Sequence, residues 1–294
     1  MSSFSIRKLY VDVVDETGTV WVFYFVNLCF GWFCQRLAGV ERYPRIGPPS
    51  FGRVQQTPLW PTAPRENEQL DFRMQLAEGP VEFSAVSTLP PWIPSRTRLS
   101  LPIQWHVVAP RLDVKLRHPG AETPVTGVGY ADLLELRGLP RALRLRHLRW
   151  GRAHTSQGGF IFTSVVPQHG SSWQRAVAWN GTMPRAEWEQ FSIEERFDGM
   201  VLRPSDRGQH LEPRFFLGKE RVLRQGASVD AGRFPHAIER FVYRSMMGRA
   251  IESRWCGAAR LWPEERTIFD SAIHESVDFS AEGAFCQGGA GSGN

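Results

Sequence analysis

The sequence predicts an all-β protein assembled from two β units, and three observations carry that expectation. Short runs of β-branched and aromatic residues, bounded by Gly, Pro and Asp turns, repeat along nearly the whole chain. Apolar residues alternate with polar ones in most of these runs, the period-2 signature of half-buried strands. The chain has 294 residues, enough for two β domains.

In order along the chain, KLYVDVVDETGTVWVFYFVN reads as a hairpin turning at DETG, with Tyr10, Asp12 and Val14 alternating against Val11 and Val13. In that reading Asp12 is a turn or cap residue. The most apolar stretch, VWVFYFVNLCFGWF at 20–33, has 14 residues. That is too short to span a bilayer, and it reads as a buried strand, a turn and a second strand. Residues 44–67 hold six of the 21 prolines and form an irregular connection. QLDFRMQLAEGPVEFSAVS is a second hairpin, turning at Glu78, Gly79 and Pro80. Strand-like runs continue from LPIQWHVVAP to EPRFFLG and beyond. A single helix is expected in FPHAIERFVYRSMMGR, where Ile238, Phe241, Val242 and Ser245 share one side and Gly248 ends it. Such a count of short strands points to a pair of barrels or to a sandwich plus a barrel.

Bulk composition narrows the chemistry. Aromatics make up 12% of residues, with 11 Trp and 19 Phe, a supply suited to a barrel core or a pocket for an extended apolar molecule. The formal charge is +5. Five arginines, Arg141, Arg144, Arg146, Arg149 and Arg152, cluster in one run and read as a solvated strand face, with anionic lipid headgroups as the other partner class for such a run. Zinc ligands, RNP motifs and basic heptads are absent from the sequence, so no nucleic-acid partner is expected. Cys29, Cys34, Cys256 and Cys286 make neither a CxxC pair nor a Cys/His metal spacing. They read as free thiols of a reducing compartment, with no metal site. Without a secretory signal pattern at the N-terminus, the expected location is the cytoplasm, with a peripheral position on the inner face of the membrane as an option.

The chemically loaded stretch is GVGYADLLEL at 127–136. Tyr130 and Asp132 lie two positions apart, hence on one strand face about 7 Å apart, flanked there by Val128 and Leu134. A carboxyl group on an apolar face is a candidate acid, because burial raises its pKa.

Five blocks occur in order: WHVVAPR (105–111), GVGYAD (127–132), LRWGRA (148–153), RFVYRSMM (240–247) and AIHESVDF (272–279). Together they resemble the carotenoid 1,2-hydratases, also called hydroxyneurosporene synthases. That family lies in a lipocalin-like group that also holds tandem-barrel proteins and fungal Diels–Alderases. The resemblance implies two lipocalin-like barrel or sandwich units in tandem, with boundaries at 1–125 and 126–287. The GGAGSGN tail at 288–294 reads as a disordered linker from its composition. The resemblance also implies an apolar pocket near the junction of the units and addition of water to a terminal isoprenoid double bond without a cofactor. It maps the family's acid motif onto Tyr130 and Asp132, and its upstream tryptophan onto Trp105. The chain departs from the family pattern at Ile103, where a His is usual, and in LLELRGLPRALR, where an acidic loop is usual.

The expected function is therefore a cofactor-independent hydratase or cyclase acting by acid catalysis at a C=C bond of a long apolar isoprenoid or polyene. The hydrophobic small molecule is its only expected partner besides the membrane. Asp132 is the proton donor, Tyr130 fixes its orientation, and His106 and Glu135 are candidates to orient water or take up its proton. Trp105 and Trp150 are candidates to face the cation, and Glu275, in IHES beside His274, is a candidate pocket residue. Two other functions remain open: a lipocalin-like Diels–Alderase or other natural-product cyclase, and a non-catalytic carrier of a hydrophobic ligand.

Overall fold

In a computed structural model the described residues are 4–55, 68–76, 78–93, 103–138, 144–154, 158–180, 183–205, 214–227, 250–262 and 267–279. They form strands and turns, and no helix is found among them. The helix expected in FPHAIERFVYRSMMGR (234–249) and the tail at 288–294 lie outside the described residues. The chain divides into two compact units, Met1–Gly138 and Leu139–Asn294.

The first unit is one antiparallel sheet of eight strands: β1 (Phe4–Asp15), β2 (Val20–Phe30), β3 (Phe33–Tyr43), β4 (Ser50–Gln55), β5 (Gln69–Leu76), β6 (Gly79–Ser87), β7 (Ile103–Arg117) and β8 (Val125–Arg137). Their order is β4-β3-β2-β1-β8-β7-β6-β5, so the first strand pairs with the last. β8 bonds to both β1 and β7 along its length, so the unit closes only after Gly138.

The sheet curls until its two arms meet. Phe23 and Phe25 on β2 touch Phe72 on β5 with ring centroids 5.1 Å apart in each case, and Phe72 stacks on Phe83 at 4.3 Å. These rings, with Leu9, Val11, Val13, Trp21, Ala131 and Leu133, form the core. On β1 and β8 the core therefore takes the odd-numbered positions, as strand alternation requires. The even positions lie on the opposite face, and there, besides the apolar Phe4 and Leu136, four polar side chains are also withdrawn from solvent: Tyr10, Asp12, Tyr130 and Asp132.

Turn chemistry fixes the β1–β2 hairpin. Asp15, rather than Asp12, is the cap. Its Oδ1 accepts from the backbone N–H groups of Thr17 and Thr19, and its Oδ2 from the Trp21 indole. At the β2–β3 turn, Gly31 takes a left-handed φ of 61°. Cys29 and Cys34 face each other across this hairpin and are joined by a disulfide, a correction to the free thiols expected from their spacing. Only the strand register brings the two sulfurs together.

The second unit contains β9 (Leu145–His154), β10 (Gly158–Pro167), β11 (Trp173–Asn180), β12 (Met183–Trp188), β13 (Phe191–Glu195), β14 (Gly199–Pro204), β15 (Arg214–Gly218), β16 (Arg221–Ala227), β17 (Ile251–Trp262) and β18 (Thr267–Asp278). Its sheet runs β12-β11-β10-β9-β18-β17-β15-β14-β13, with β16 also paired to β17. Again the unit's first strand, β9, pairs with its last, β18. Phe160 stacks on Phe215 at 3.9 Å and Trp188 meets Phe215 at 5.7 Å, so this sheet also folds over an aromatic core.

The two glycines of GVGYAD serve the β1–β8 approach. A Cβ on Gly129 would sit 2.6 Å from the Asp12 carbonyl oxygen, and one on Gly127 would sit 2.8 Å from that of Val14. Both clashes are with backbone, which cannot turn aside. Gly129→Ala is expected to lower the unfolding free energy by about 1–3 kcal/mol through overpacking, read as a shifted denaturant midpoint.

Candidate active site

β1 carries Tyr10-Val11-Asp12 and β8 carries Tyr130-Ala131-Asp132, the same Tyr-x-Asp spacing on two antiparallel neighbours. In the register adopted, Tyr10 lies opposite Asp132 and Asp12 lies opposite Tyr130. The result is a reciprocal square of two phenols and two carboxyl groups on one face. Asp12 and Tyr130 are fully buried, and Tyr10 and Asp132 nearly so. The Tyr130 hydroxyl donates to Asp132 Oδ2 at 2.9 Å.

Trp105 joins this group from β7. It lies opposite Leu134, one same-face position along from Asp132, and its indole N–H hydrogen-bonds the Asp132 carboxyl. The Trp105 ring meets Trp92 edge-on at 5.7 Å. Trp92 itself is tied by backbone bonds to Val107, the residue paired with Asp132. An aromatic wall thus stands beside the acid.

Burial pushes the Asp132 pKa up from the ordinary 3.8 to about 7. The bonds from Trp105 and Tyr130 and the charge of Lys8 oppose that rise, while the Asp12 charge adds to it. Burial wins because a desolvated carboxylate loses more than two neutral donors return. Burial, followed by the neighbouring Asp132, also drives the Tyr130 phenol well above its usual value, so Tyr130 stays a hydrogen-bond donor.

The remaining sequence candidates fall elsewhere. His106 lies opposite Leu133, a core residue, so it occupies the face turned away from Asp132. Glu135 occupies an odd position as well, and it pairs with Arg7 at 3.2 Å near the surface. Trp150 and Glu275 belong to the second unit, where they are cross-strand partners on β9 and β18. Glu275 is taken up in a buried charge network. Arg254 Nε donates to it at 2.7 Å, the Arg254 guanidinium also reaches Glu252 at 3.0 Å, and Arg224 lies 3.4 Å from Glu252. His274, its neighbour, is buried on the other face. It stacks on Trp255, bonds the Gly218 carbonyl, and has its pKa lowered by burial to about 4. Among the described residues no group of three or more His, Cys, Asp and Glu side chains is placed to hold a metal.

Comparison with solved structures fits this architecture. A Nitrosomonas europaea protein assigned as AttH superposes with a TM-score of 0.61 at 11% identity, covering 93% of this chain and 91% of its own. CghA, solved with Sch210972, gives 0.57 at 10% identity, covering 94% and 88%. Kievitone hydratase from Nectria haematococca gives 0.52 at 7% identity, covering 94% and 89%. The fold is lipocalin-like. At these identities the likeness reaches the lipocalin-like architecture and stops there, carrying no residue from one chain to another. No family model and no curated protein sequence matches the chain.

The raised Asp132 pKa has a stability consequence with a definite sign. Between pH 3.8 and about 7 the folded state holds this proton while the unfolded chain releases it. The stability contributed by the neutral acid is therefore present at low pH and lost as pH rises through about 7. Urea unfolding across this range should show wild-type stability falling relative to Asp132→Asn as pH increases. Parallel curves would place the Asp132 pKa at its ordinary value.

Proposed function

We propose that the protein is a cofactor-independent hydratase or cyclase that protonates a C=C bond of a long apolar isoprenoid or polyene, with Asp132 as the acid. The observation that carries this reading is a buried carboxyl group bonded by two neutral donors, whose pKa burial nevertheless raises to about 7. Protonating a trisubstituted alkene moves the carboxyl proton to the less substituted carbon and leaves a tertiary carbocation. The carboxylate left behind is the form that Tyr130 and Trp105 favour. Their bonds strengthen as charge develops, so they assist the transition state more than the ground state. The faces of Trp105 and Trp92 suit the cation, each worth up to about 2 kcal/mol when desolvated.

Two routes close the cycle. In hydration, water bonds to the cationic carbon and its surplus proton returns to the Asp132 carboxylate. In cyclisation, a second double bond of the same substrate attacks the cation, and the proton lost at the end returns to the same oxygen. Neither route consumes an electron donor or acceptor. Asp12 holds a like charge close to Asp132 and keeps the acid protonated at higher pH. The three solved structures support the reading at the level of fold, and one of them is a hydratase by name.

Incubation with an acyclic isoprenoid bearing a terminal trisubstituted double bond, in deuterated water, should give product with one deuterium on carbon. Asp132→Asn should reduce that turnover by about 100-fold or more while ligand binding persists. Product without deuterium would identify a pericyclic reaction, and ligand returned unchanged would identify a carrier. Either result removes the proposal.

The rate should also fall as pH rises through about 7, where the acid is lost. Asp12→Asn, which removes the like charge, should move that limb to lower pH. A pH profile unchanged by Asp12→Asn would detach Asp12 from the acid.

A further inference from the structure

The tip of the β2–β3 hairpin concentrates exposed aromatic side chains. Phe30, Trp32 and Phe33 are 54%, 95% and 56% exposed, three aromatic side chains within four consecutive residues. Scattered exposed apolar residues are ordinary, but a contiguous group at a projecting point marks a contact. Residues 31–36 are all exposed. Among the described residues, β4 pairs with β3 only over Leu37–Arg42, so this end of β3 runs on past its neighbour. The Cys29–Cys34 disulfide fastens the two strands directly behind the tip, and Phe30 is seated against buried Phe4 at 6.5 Å. Trp32 and Phe33 are thus presented from a fixed base.

Arginines stand behind the aromatics. Arg36 lies opposite Asn27, three positions below the Phe30–Phe33 pair, which is roughly 10 Å along the strands. Arg137 pairs with Ser5, and Ser5 with Cys29, one position below the tip. Both arginines are exposed. Arg7, in register with Asn27, is engaged with Glu135. The polar interface of a bilayer is about 5–8 Å thick on each side. Rings placed at the boundary with the acyl chains would therefore set these guanidinium groups among the phosphates.

We propose that this hairpin tip docks the protein on an anionic lipid surface, with Trp32 and Phe33 inserted at the interface and Arg36 and Arg137 on lipid phosphates. Tryptophan is the residue that favours this depth, and arginine adds attraction to acidic headgroups. A protein partner fits less well. A stable interface buries about 800 Å² on each side, more than three rings on a convex hairpin tip provide. The inference stands apart from the proposed chemistry, since the docking residues are not those of the acid site and binding needs no turnover.

The experiment is co-sedimentation of the full chain with vesicles of phosphatidylcholine, with and without phosphatidylserine. Wild-type protein should sediment with the anionic vesicles and much less with the neutral ones. Trp32→Ser with Phe33→Ser should cut the bound fraction about tenfold or more, with the thermal melt unchanged because both side chains are exposed. Arg36→Glu with Arg137→Glu should weaken binding to the anionic vesicles, as should added salt. Phe197→Ser, at a fully exposed phenylalanine beside Glu194, Glu195 and Asp198 in the second unit, should change nothing. Wild-type protein that stays in the supernatant, or binding that survives loss of Trp32 and Phe33, would overturn the proposal. So would gel filtration showing a dimer that the double variant turns into monomer, because the tip would then be an interface between copies.

Discussion

The pairing of β1 with β8 is the constraint on which the site depends. The two strands are separated by more than a hundred residues, yet their register sets Tyr10 against Asp132 and Asp12 against Tyr130. A slip of one residue would turn one strand's Tyr-x-Asp pair into the aromatic core and separate it from the other pair. Gly127 and Gly129 hold the register by allowing backbone of one strand to approach the other. The interior of the first unit is filled by Trp21, Phe23, Phe25, Phe72 and Phe83, so the polar chemistry occupies the opposite, buried face of the same sheet.

On that face, desolvation and hydrogen bonding work against each other. Each unit of pKa corresponds to about 1.36 kcal/mol between the two protonation states. Burial outweighs the donors at Asp132 and lifts its pKa to about 7. Stronger donors would return the carboxyl to its ordinary range and leave no proton to give. Without donors, the carboxylate formed on proton transfer would be unsupported. The combination of Tyr130, Trp105 and the neighbouring Asp12 lies between those limits.

The architecture was legible in the sequence wherever the signal was local. Alternation in VEFSAVS and KLYVDVV, and the turns at DETG and at Gly79, announced strands and hairpins that the structure contains. Tyr130, Asp132 and Trp105 were legible as a candidate group, and the structure brings them together. What escaped was long-range pairing. Asp12 reads as a turn residue beside DETG, and only the β1–β8 register shows it facing Tyr130, with Asp15 filling the turn instead. The repeated Tyr-x-Asp spacing was the available signal. His106 and Glu135 sit close to the acid in sequence, but the pleat turns them to the other face. Cys29 and Cys34 likewise needed the hairpin register to become partners. The strand that closes the first unit can likewise be recognised only by what it pairs with.

The central claim is that Asp132 holds its proton in the folded protein far above the ordinary carboxylate range, up to a midpoint at about pH 7. Carbon-13 NMR of aspartate-labelled protein, with the Asp132 signal assigned by its loss in Asp132→Asn, measures that state directly. The account predicts a carboxyl resonance that titrates with a midpoint at about 7. A midpoint near about 4, the ordinary aspartate value, would contradict it.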